Sequence, residues 1–241
     1  MRLLSLLIAL GIMYIMVYYY ATSIDIYTLS SYTKQSGPTV LMIGGTHGNE
    51  PAGSVWLEQF LECPPVIKYG NIIAIPRLNK IGLLLNRRHV FHNILHNDLN
   101  RNYPIKDGDE GKDVINKQVV KLVQNADFII DFHEGWGFNR IDRKSMASGL
   151  YPSNTKKSIM IVDELQISIN KTIKDPKKHF IVDYVENSDR TLKTLRNHAN
   201  YRNKDYILVE TSGQNDIQPL RIRVEQNKFI TMFILKKLGM I

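Results

Sequence analysis

Two histidines and one glutamate stand out by type and spacing. His47 and Glu50 are three residues apart in His47-Gly48-Asn49-Glu50, so one tight turn can aim an imidazole nitrogen and a carboxylate oxygen at a common point. His133 follows the apolar stretch Phe128-Ile129-Ile130-Asp131-Phe132 and can bring a third ligand from another strand end. Three N/O ligands with one position left open suit a catalytic zinc, because structural zinc sites usually close with four ligands, often thiolates. Cys63 is the only cysteine, which excludes a thiolate-rich structural site and an intrachain disulfide framework. A further carboxylate, Glu210 in Val209-Glu210-Thr211, ends a third apolar run.

The elements that must position these groups follow from the hydrophobic pattern. Thr39-Val40-Leu41-Met42-Ile43 is a continuous apolar run stopped by Gly44-Gly45, the signature of a strand buried on both faces. Asn71–Pro76, Phe128–Phe132 and Tyr206–Val209 read as further strands. Helices are expected over Pro51–Phe60, Asp113–Gln124, Lys156–Ile173, Asp189–Tyr201 and Pro219–Leu238. Strands alternating with helices predict an α/β three-layer sandwich with a mixed, largely parallel central sheet. Ligands of such sheets sit beyond the carboxyl ends of the strands. His47, His133 and Glu210 each lie at or just past such an end, so three separate strands aim at one edge.

Five segments, taken in order, resemble the zinc carboxypeptidases and their relatives, the aspartoacylase and succinylglutamate desuccinylase group. They are Gly44–Glu50, Asn79–Arg88, Asp98-Leu99-Asn100-Arg101-Asn102-Tyr103-Pro104, Asp131-Phe132-His133-Glu134 and Val209-Glu210-Thr211. The resemblance spans Thr39 to Gly213. It implies His47, Glu50 and His133 as ligands of one zinc ion, and Asp98 as the carboxylate that orients His47, fixing its tautomer. It implies Asn100 and Arg101 as the pair that grips a substrate carboxylate, for which a planar guanidinium is suited. Arg88, with Arg87 as its immediate competitor, corresponds to an arginine that stabilises the oxyanion; Lys80 stands where the family usually has proline. Glu210 is the candidate general base, taking a proton from activated water and delivering it to the leaving amine. Glu134 ranks second for that role, because neighbouring side chains at a strand end diverge. Trp136 and Phe138 are candidate pocket walls, and Tyr184, Tyr201 and Tyr206 are candidates for a closing tyrosine. His89, His92 and His96 could bind a second metal at helical spacing, although a solvated loop is the simpler reading.

The amino terminus is different in kind. Leu3 to Tyr20 carries no charge and is almost wholly apolar, about 27 Å as a helix and close to one hydrocarbon thickness. Tyr18, Tyr19 and Tyr20 fall where an interfacial aromatic belt would lie, and Arg2 on the other flank favours a cytoplasmic amino end. Residues 1–21 are therefore expected to be a transmembrane anchor or a signal peptide, 22–37 a stalk or first edge element, and 38–241 the hydrolase domain, outside the cytoplasm or secreted. Bulky Tyr19 argues against cleavage after Ala21. In that compartment Asn170-Lys171-Thr172 would be a possible glycosylation triplet. The net charge of +8 would draw in anionic partners, yet Lys and Arg are spread along the chain without an aromatic-interleaved basic block. A carboxylate-bearing substrate fits that charge, and nucleic acid is not expected. No obligate protein partner is evident.

The chemistry expected is zinc-dependent hydrolysis of an amide bond beside a free carboxylate. Asn102-Tyr103-Pro104 leans toward a carboxypeptidase-like activity on a small-molecule or peptide substrate. The chain continues about thirty residues beyond Glu210, short of the extra domain of aspartoacylase-type enzymes, which also suggests an open cleft. The alternatives are a deacylase of N-acyl amino acids, a catalytically silent binding module on the same fold, and a membrane scaffold whose function would survive Glu210→Gln.

Overall fold

The strand Phe128–Trp136 shows how one sequence builds both core and site. Its even-numbered residues Phe128, Ile130 and Phe132 join one buried apolar cluster, and Ile129 joins another on the opposite face. Asp131 and His133 continue the Ile129 face, because side chains alternate along a strand. The apolar face anchors the strand while the other face carries the chemistry.

The computed structural model describes residues 2–33, 36–184 and 193–241. The elements run α1 (Arg2–Thr22), β1 (Tyr27–Ser30), β2 (Thr39–Ile43), α2 (Ala52–Glu62), β3 (Asn71–Ile75), α3 (Lys80–Leu85), α4 (Val114–Asn125), β4 (Phe128–Trp136), β5 (Gly149–Pro152), α5 (Lys156–Asn170), β6 (Ile181–Val182), α6 (Leu195–Tyr201), β7 (Asp205–Gln214) and α7 (Leu220–Lys237). Among the described residues the strands form one seven-stranded sheet, ordered β1-β3-β2-β4-β7-β5-β6. The pairs β3–β2, β2–β4, β4–β7 and β5–β6 are parallel, whereas β1–β3 and β5–β7 are antiparallel. The sheet is thus mixed and largely parallel, as its near-continuous apolar strands require.

Helices cover both faces. One cluster joins Val40, Met42 and Phe132 to α2, α5 and α7; the other joins Leu41, Ile43 and Ile129 to α4 and α6. Each fully buried Leu, Ile or Phe contributes about 1.5–3 kcal/mol relative to exposure. The Trp56 indole N–H, buried between α2 and α7, donates to Thr231 Oγ1 at 2.8 Å, so this large ring enters the core without an orphaned donor. Helix starts are capped as the sequence allows: Asp113 accepts from Ile115 N–H on α4, Thr155 from Ser158 N–H on α5, and Thr194 from Asn197 N–H on α6.

Of the two readings of 22–37, the segment contributes the edge strand β1. Several other boundaries differ from expectation. β4 and β7 run on to Trp136 and Gln214 through polar residues that break the apolar pattern. β5 and the two-residue β6 carry too few positions to show periodicity. Of the helix expected over Asp189–Tyr201, α6 covers Leu195–Tyr201, and 189–192 lie outside the described residues. The amino-terminal helix forms as expected and is long and apolar enough to cross a membrane, a test that a signal sequence also passes.

Candidate metal centre

The β2–α2 loop delivers the first two groups. Glu50 N–H donates to His47 O at 3.2 Å, closing the turn that puts both side chains on one side. Gly48 is obligatory in that turn. A Cβ there would stand 1.9 Å from the Gly82 carbonyl carbon, so only glycine lets the loop lie against α3. His133 arrives from β4 on the neighbouring strand.

His47, Glu50 and His133 converge and are almost fully buried. His47 Nδ1 lies 2.8 Å from Glu50 Oε1, His133 Nδ1 lies 2.9 Å from Glu50 Oε2, and the two Nδ1 atoms face each other at 3.1 Å. The opposite nitrogen of each ring faces another carboxylate. His47 Nε2 is 3.1 Å from Asp98 Oδ1, and His133 Nε2 is 3.3 Å from Asp131 Oδ1. A neutral imidazole carries one N–H; with that N–H on Nε2, toward Asp98 or Asp131, each Nδ1 is left free to serve as a ligand. Both Nδ1 atoms then present lone pairs to each other and to the Glu50 oxygens. Such a cluster requires positive charge at its centre. In the metal-free protein a proton meets that need: burial pushes His133 down, but the charges of Asp131 and Glu50 outweigh it and raise its pKa well above the ordinary value. A divalent cation with affinity for imidazole and carboxylate meets the same need, so the residues present fit zinc.

The surrounding groups brace the cluster. The Asp98 carboxylate receives His47, the Asn100 N–H at 2.9 Å, and the Arg88 Nε and Nη2 at 3.2 and 3.1 Å. Burial pushes Asp98 up, yet the His47 hydrogen bond and the charges of His47, Arg88 and Arg101 hold it well below the usual carboxylate range. Arg88 also donates from Nη1 to Glu50 Oε1 at 3.2 Å. Of the two neighbouring arginines it is Arg88, not Arg87, that lines the main pocket. Tyr206 OH donates to Asp131 Oδ2 at 2.8 Å, so Asp131 in turn is fixed from β7.

Glu210 sits on β7 directly across the ladder from His133. It is buried, lines the same pocket, and has no hydrogen-bond partner for its carboxylate among the described residues. Burial, reinforced by the negative charges of Glu50 and Asp131 against the opposing pull of His133 and Arg88, pushes its pKa up to about 8. Glu134 faces the other way. Its carboxylate accepts from the Ala52 N–H at the start of α2 and from Arg223 on α7. It serves as the buried counter-charge of a helix start, consistent with its lower rank as a base.

The pocket holding these groups measures about 330 Å³. Asn100 and Arg101 lie on its wall in a short 3₁₀ turn (Leu99–Arg101) that Asp98 caps; Asn100 Oδ1 accepts from Leu195 N–H at 3.0 Å. Sequence reasoning missed other lining residues, among them Lys144, Tyr151, Arg196 and Gln214. Gln214 donates to Glu50 Oε1 at 3.2 Å and Glu134 O at 2.7 Å. Arg196 is buried and donates from Nε to Pro152 O at 2.9 Å. Four cationic side chains, Arg88, Arg101, Lys144 and Arg196, thus share the cavity with Glu50 and Glu210.

Trp136 lines the pocket, whereas Phe138 is buried away from it. Of the three tyrosine candidates only Tyr206 lines the cavity, and its hydroxyl is committed to Asp131; Tyr184 bonds Asp163 and Tyr201 bonds Asp107. His92 is held by Asp113 at 2.9 Å. His89, His92 and His96 form no metal-sized cluster; among the described residues His47, Glu50 and His133 are the only such group.

Known proteins share this fold. Residues 36–169 match the family model described as the succinylglutamate desuccinylase/aspartoacylase catalytic domain. No curated protein matches the chain. The tripeptide-bound cell shape determinant Csd4 of Helicobacter pylori superposes with a TM-score of 0.76 at 20% identity, covering 91% of this chain and 56% of that one. The mDAP-bound form of the same protein, described as a D,L-carboxypeptidase, gives 0.74 at 20% identity over 89% and 55%. A succinylglutamate desuccinylase/aspartoacylase from Rhodobacter sphaeroides gives 0.62 at 17% identity over 90% and 60%. The chain therefore spans just over half the length of the Csd4 structures it resembles, and the likeness at these identities is one of fold.

Proposed function

Given that the chain belongs to the succinylglutamate desuccinylase/aspartoacylase catalytic-domain family, we propose that it is a zinc-dependent hydrolase of an amide bond next to a free carboxylate. The convergence of His47, Glu50 and His133 on one point, with Glu210 across the ladder from His133, carries the reading. Zinc, when bound, supplies Lewis acidity and a water that ionises near neutral pH. His47 and His133 present Nδ1, held in that tautomer by Asp98 and Asp131, and Glu50 supplies the anionic ligand. Glu210 takes the proton of the attacking water and passes it to the leaving amine; it is buried across the ladder from His133, its carboxylate has no hydrogen-bond partner among the described residues, and a bound dication would favour its ionised form. Arg88, braced by Asp98 at the rim of the cluster, offers a cation to the negative charge that develops on the carbonyl oxygen. Asn100 and Arg101 hold the substrate carboxylate and set its register.

Carboxypeptidase-like cleavage is favoured over deacylation. The superposition is better on a D,L-carboxypeptidase than on the desuccinylase/aspartoacylase structures, and the pocket is cationic on several sides. Residues 38–241, with the edge strand β1 added to their sheet, form the hydrolase unit in this reading, with α1 as a retained membrane anchor and the substrate a peptide or small molecule outside the cytoplasm. Full-length protein in detergent, assayed on a panel of peptides with free carboxyl termini and of N-acyl amino acids, tests it. Peptide hydrolysis that chelation abolishes and zinc restores is expected. Turnover restricted to N-acyl amino acids would select the deacylase, and a folded protein inactive on both would favour a silent binding module.

A further inference from the structure

The loop after α3 wears its side chains inside out. Val90 N–H donates to Asn97 O at 2.9 Å, closing residues 91–96 into a projection. Its polar groups turn inward: His92 Nε2 and Asn93 Nδ2 each lie 2.9 Å from Asp113 Oδ2 at the start of α4, and Asn93 Oδ1 accepts from His96 N–H. Its apolar groups turn outward, with Ile94 and Leu95 each 87% exposed and Phe91 56%. Leu84, 75% exposed, and Leu85 add to this surface from α3. A groove lined in part by Arg87, His89, Phe91 and Ile94 joins the loop to the end of α3. Each large apolar side chain left in water forgoes the favourable free energy of burial. A loop whose polar groups are satisfied internally while its large apolar groups project is built for a non-aqueous contact.

The same loop lies alongside α1. The rings of Tyr18 and His92 meet edge-on at 6.3 Å. Lys80, at the start of α3, reaches Ser23 at 3.0 Å and Asp25 at 3.1 Å and stands over the Tyr20 ring, while Gln118 on α4 donates to Thr22 O at 2.9 Å. The end of the apolar helix is thereby fixed to the domain. Tyr18 is four residues before Thr22, about 6 Å back along the helix axis, so His92 meets the helix about one turn inside its carboxyl end. Tyr18 to Tyr20 mark the level of a headgroup layer around such a helix. Apolar groups at that level bury about 5–10 Å into the boundary between headgroups and acyl chains.

We propose that Phe91, Ile94 and Leu95, with Leu84 and Leu85, dock into the surface of the bilayer that α1 spans, pressing the hydrolase domain against the membrane beside its own anchor. The bilayer is the occupant because the loop that carries the patch touches α1 through His92: any membrane that takes up Leu4–Thr22 meets that loop at the level of Tyr18. Exposed Arg87 lies in the groove, placed to meet a lipid phosphate. Arg88 and Asn49 line the same groove, so the metal centre would be held close to the lipid surface. The proposal rests on the reading of α1 as a retained anchor.

The test uses the full chain with exposed Cys63 replaced by serine and one new cysteine, Leu95→Cys, carrying an environment-sensitive fluorophore. A matched control places the label at Met160→Cys, 54% exposed on α5. Both are reconstituted into vesicles of phosphatidylcholine with a minority of phosphatidylglycerol. The expected result is flotation of both proteins with the vesicles, a blue shift confined to the label on the loop, and several-fold stronger quenching of that label by headgroup-level nitroxide lipids than of the control. The additional change Ile94→Asp should reverse the blue shift without releasing the protein. Flotation with a water-like loop label overturns the docking while leaving the anchor intact. Failure to float overturns both. Efficient cross-linking between copies through the unlabelled thiol of the Leu95→Cys variant would assign the patch to a second chain and overturn the proposal.

Discussion

If Glu210 is the proposed base, Glu210→Gln should abolish the proposed hydrolysis and stabilise the metal-free protein, and the size of the second effect follows from burial. The Glu210 carboxyl is raised from its ordinary 4.5 to about 8. The folded state therefore holds this proton more tightly than the unfolded chain. The stability it lends is fully present below about pH 4.5, falls as pH rises through the interval, and is lost above about pH 8. At pH 7 the unfolded chain has released a proton that the folded protein still keeps, a handicap of about 3 kcal/mol. Glutamine keeps the shape and never ionises, so the handicap disappears. The assay is thermal unfolding of zinc-free wild-type and variant protein at pH 5, 6, 7 and 8, paired with turnover of the zinc-loaded forms. The melting-point gap between variant and wild type should widen steadily with pH, and should shrink when zinc is added, because a nearby dication favours the ionised carboxylate. Turnover should drop about 10²–10⁴-fold, the usual contribution of a general base. A gap that stays flat from pH 5 to 8 would refute the buried, unpartnered placement of Glu210. Turnover within tenfold of wild type would refute its role as base.

Other substitutions separate the remaining roles. Arg101→Lys keeps the charge but loses the two parallel hydrogen bonds, so KM for carboxylate substrates should rise about tenfold or more with kcat less affected, read from steady-state kinetics. An amidated-terminus substrate should be insensitive to the change. Asp98→Asn removes the carboxylate that fixes His47 and should weaken zinc affinity about 10–100-fold, measured by competition with a chromophoric chelator, while far-ultraviolet circular dichroism stays unchanged.

The sequence made the ligands legible because each follows an apolar strand or its turn. His47 lies just past β2, and His133 and Glu210 lie within β4 and β7 where the apolar runs give way to polar residues. The strands' true lengths were hidden for the same reason. His133 to Trp136 and Glu210 to Gln214 remain in the sheet, but their side chains serve the site or, like Glu134, the start of α2, and so do not advertise a core. Asp98 was readable from the Asp-x-Asn-Arg pattern; Asp131, two residues before His133, does the parallel work from inside the strand. The rest of the pocket wall had no local mark. Arg196 reaches it from α6, Lys144 from the stretch between β4 and β5, and Tyr151 from a four-residue strand, and only the tertiary fold unites them. His89, His92 and His96 suggested a metal by spacing, yet the loop spends its polar groups on Asp113 and presents its apolar ones. α3 was missed although Asn79 caps it, because the helix is only six residues long.

One cation held between His47, Glu50 and His133 underlies the proposed hydrolysis. Metal analysis with X-ray absorption at the zinc edge, on the purified full chain, tests it most directly. One zinc per chain should be found, bound at about 2.0–2.2 Å by imidazole nitrogen and carboxylate oxygen without sulfur, and lost in His133→Ala. A fully active protein free of divalent metal, or a zinc spectrum unchanged by His133→Ala, would contradict it.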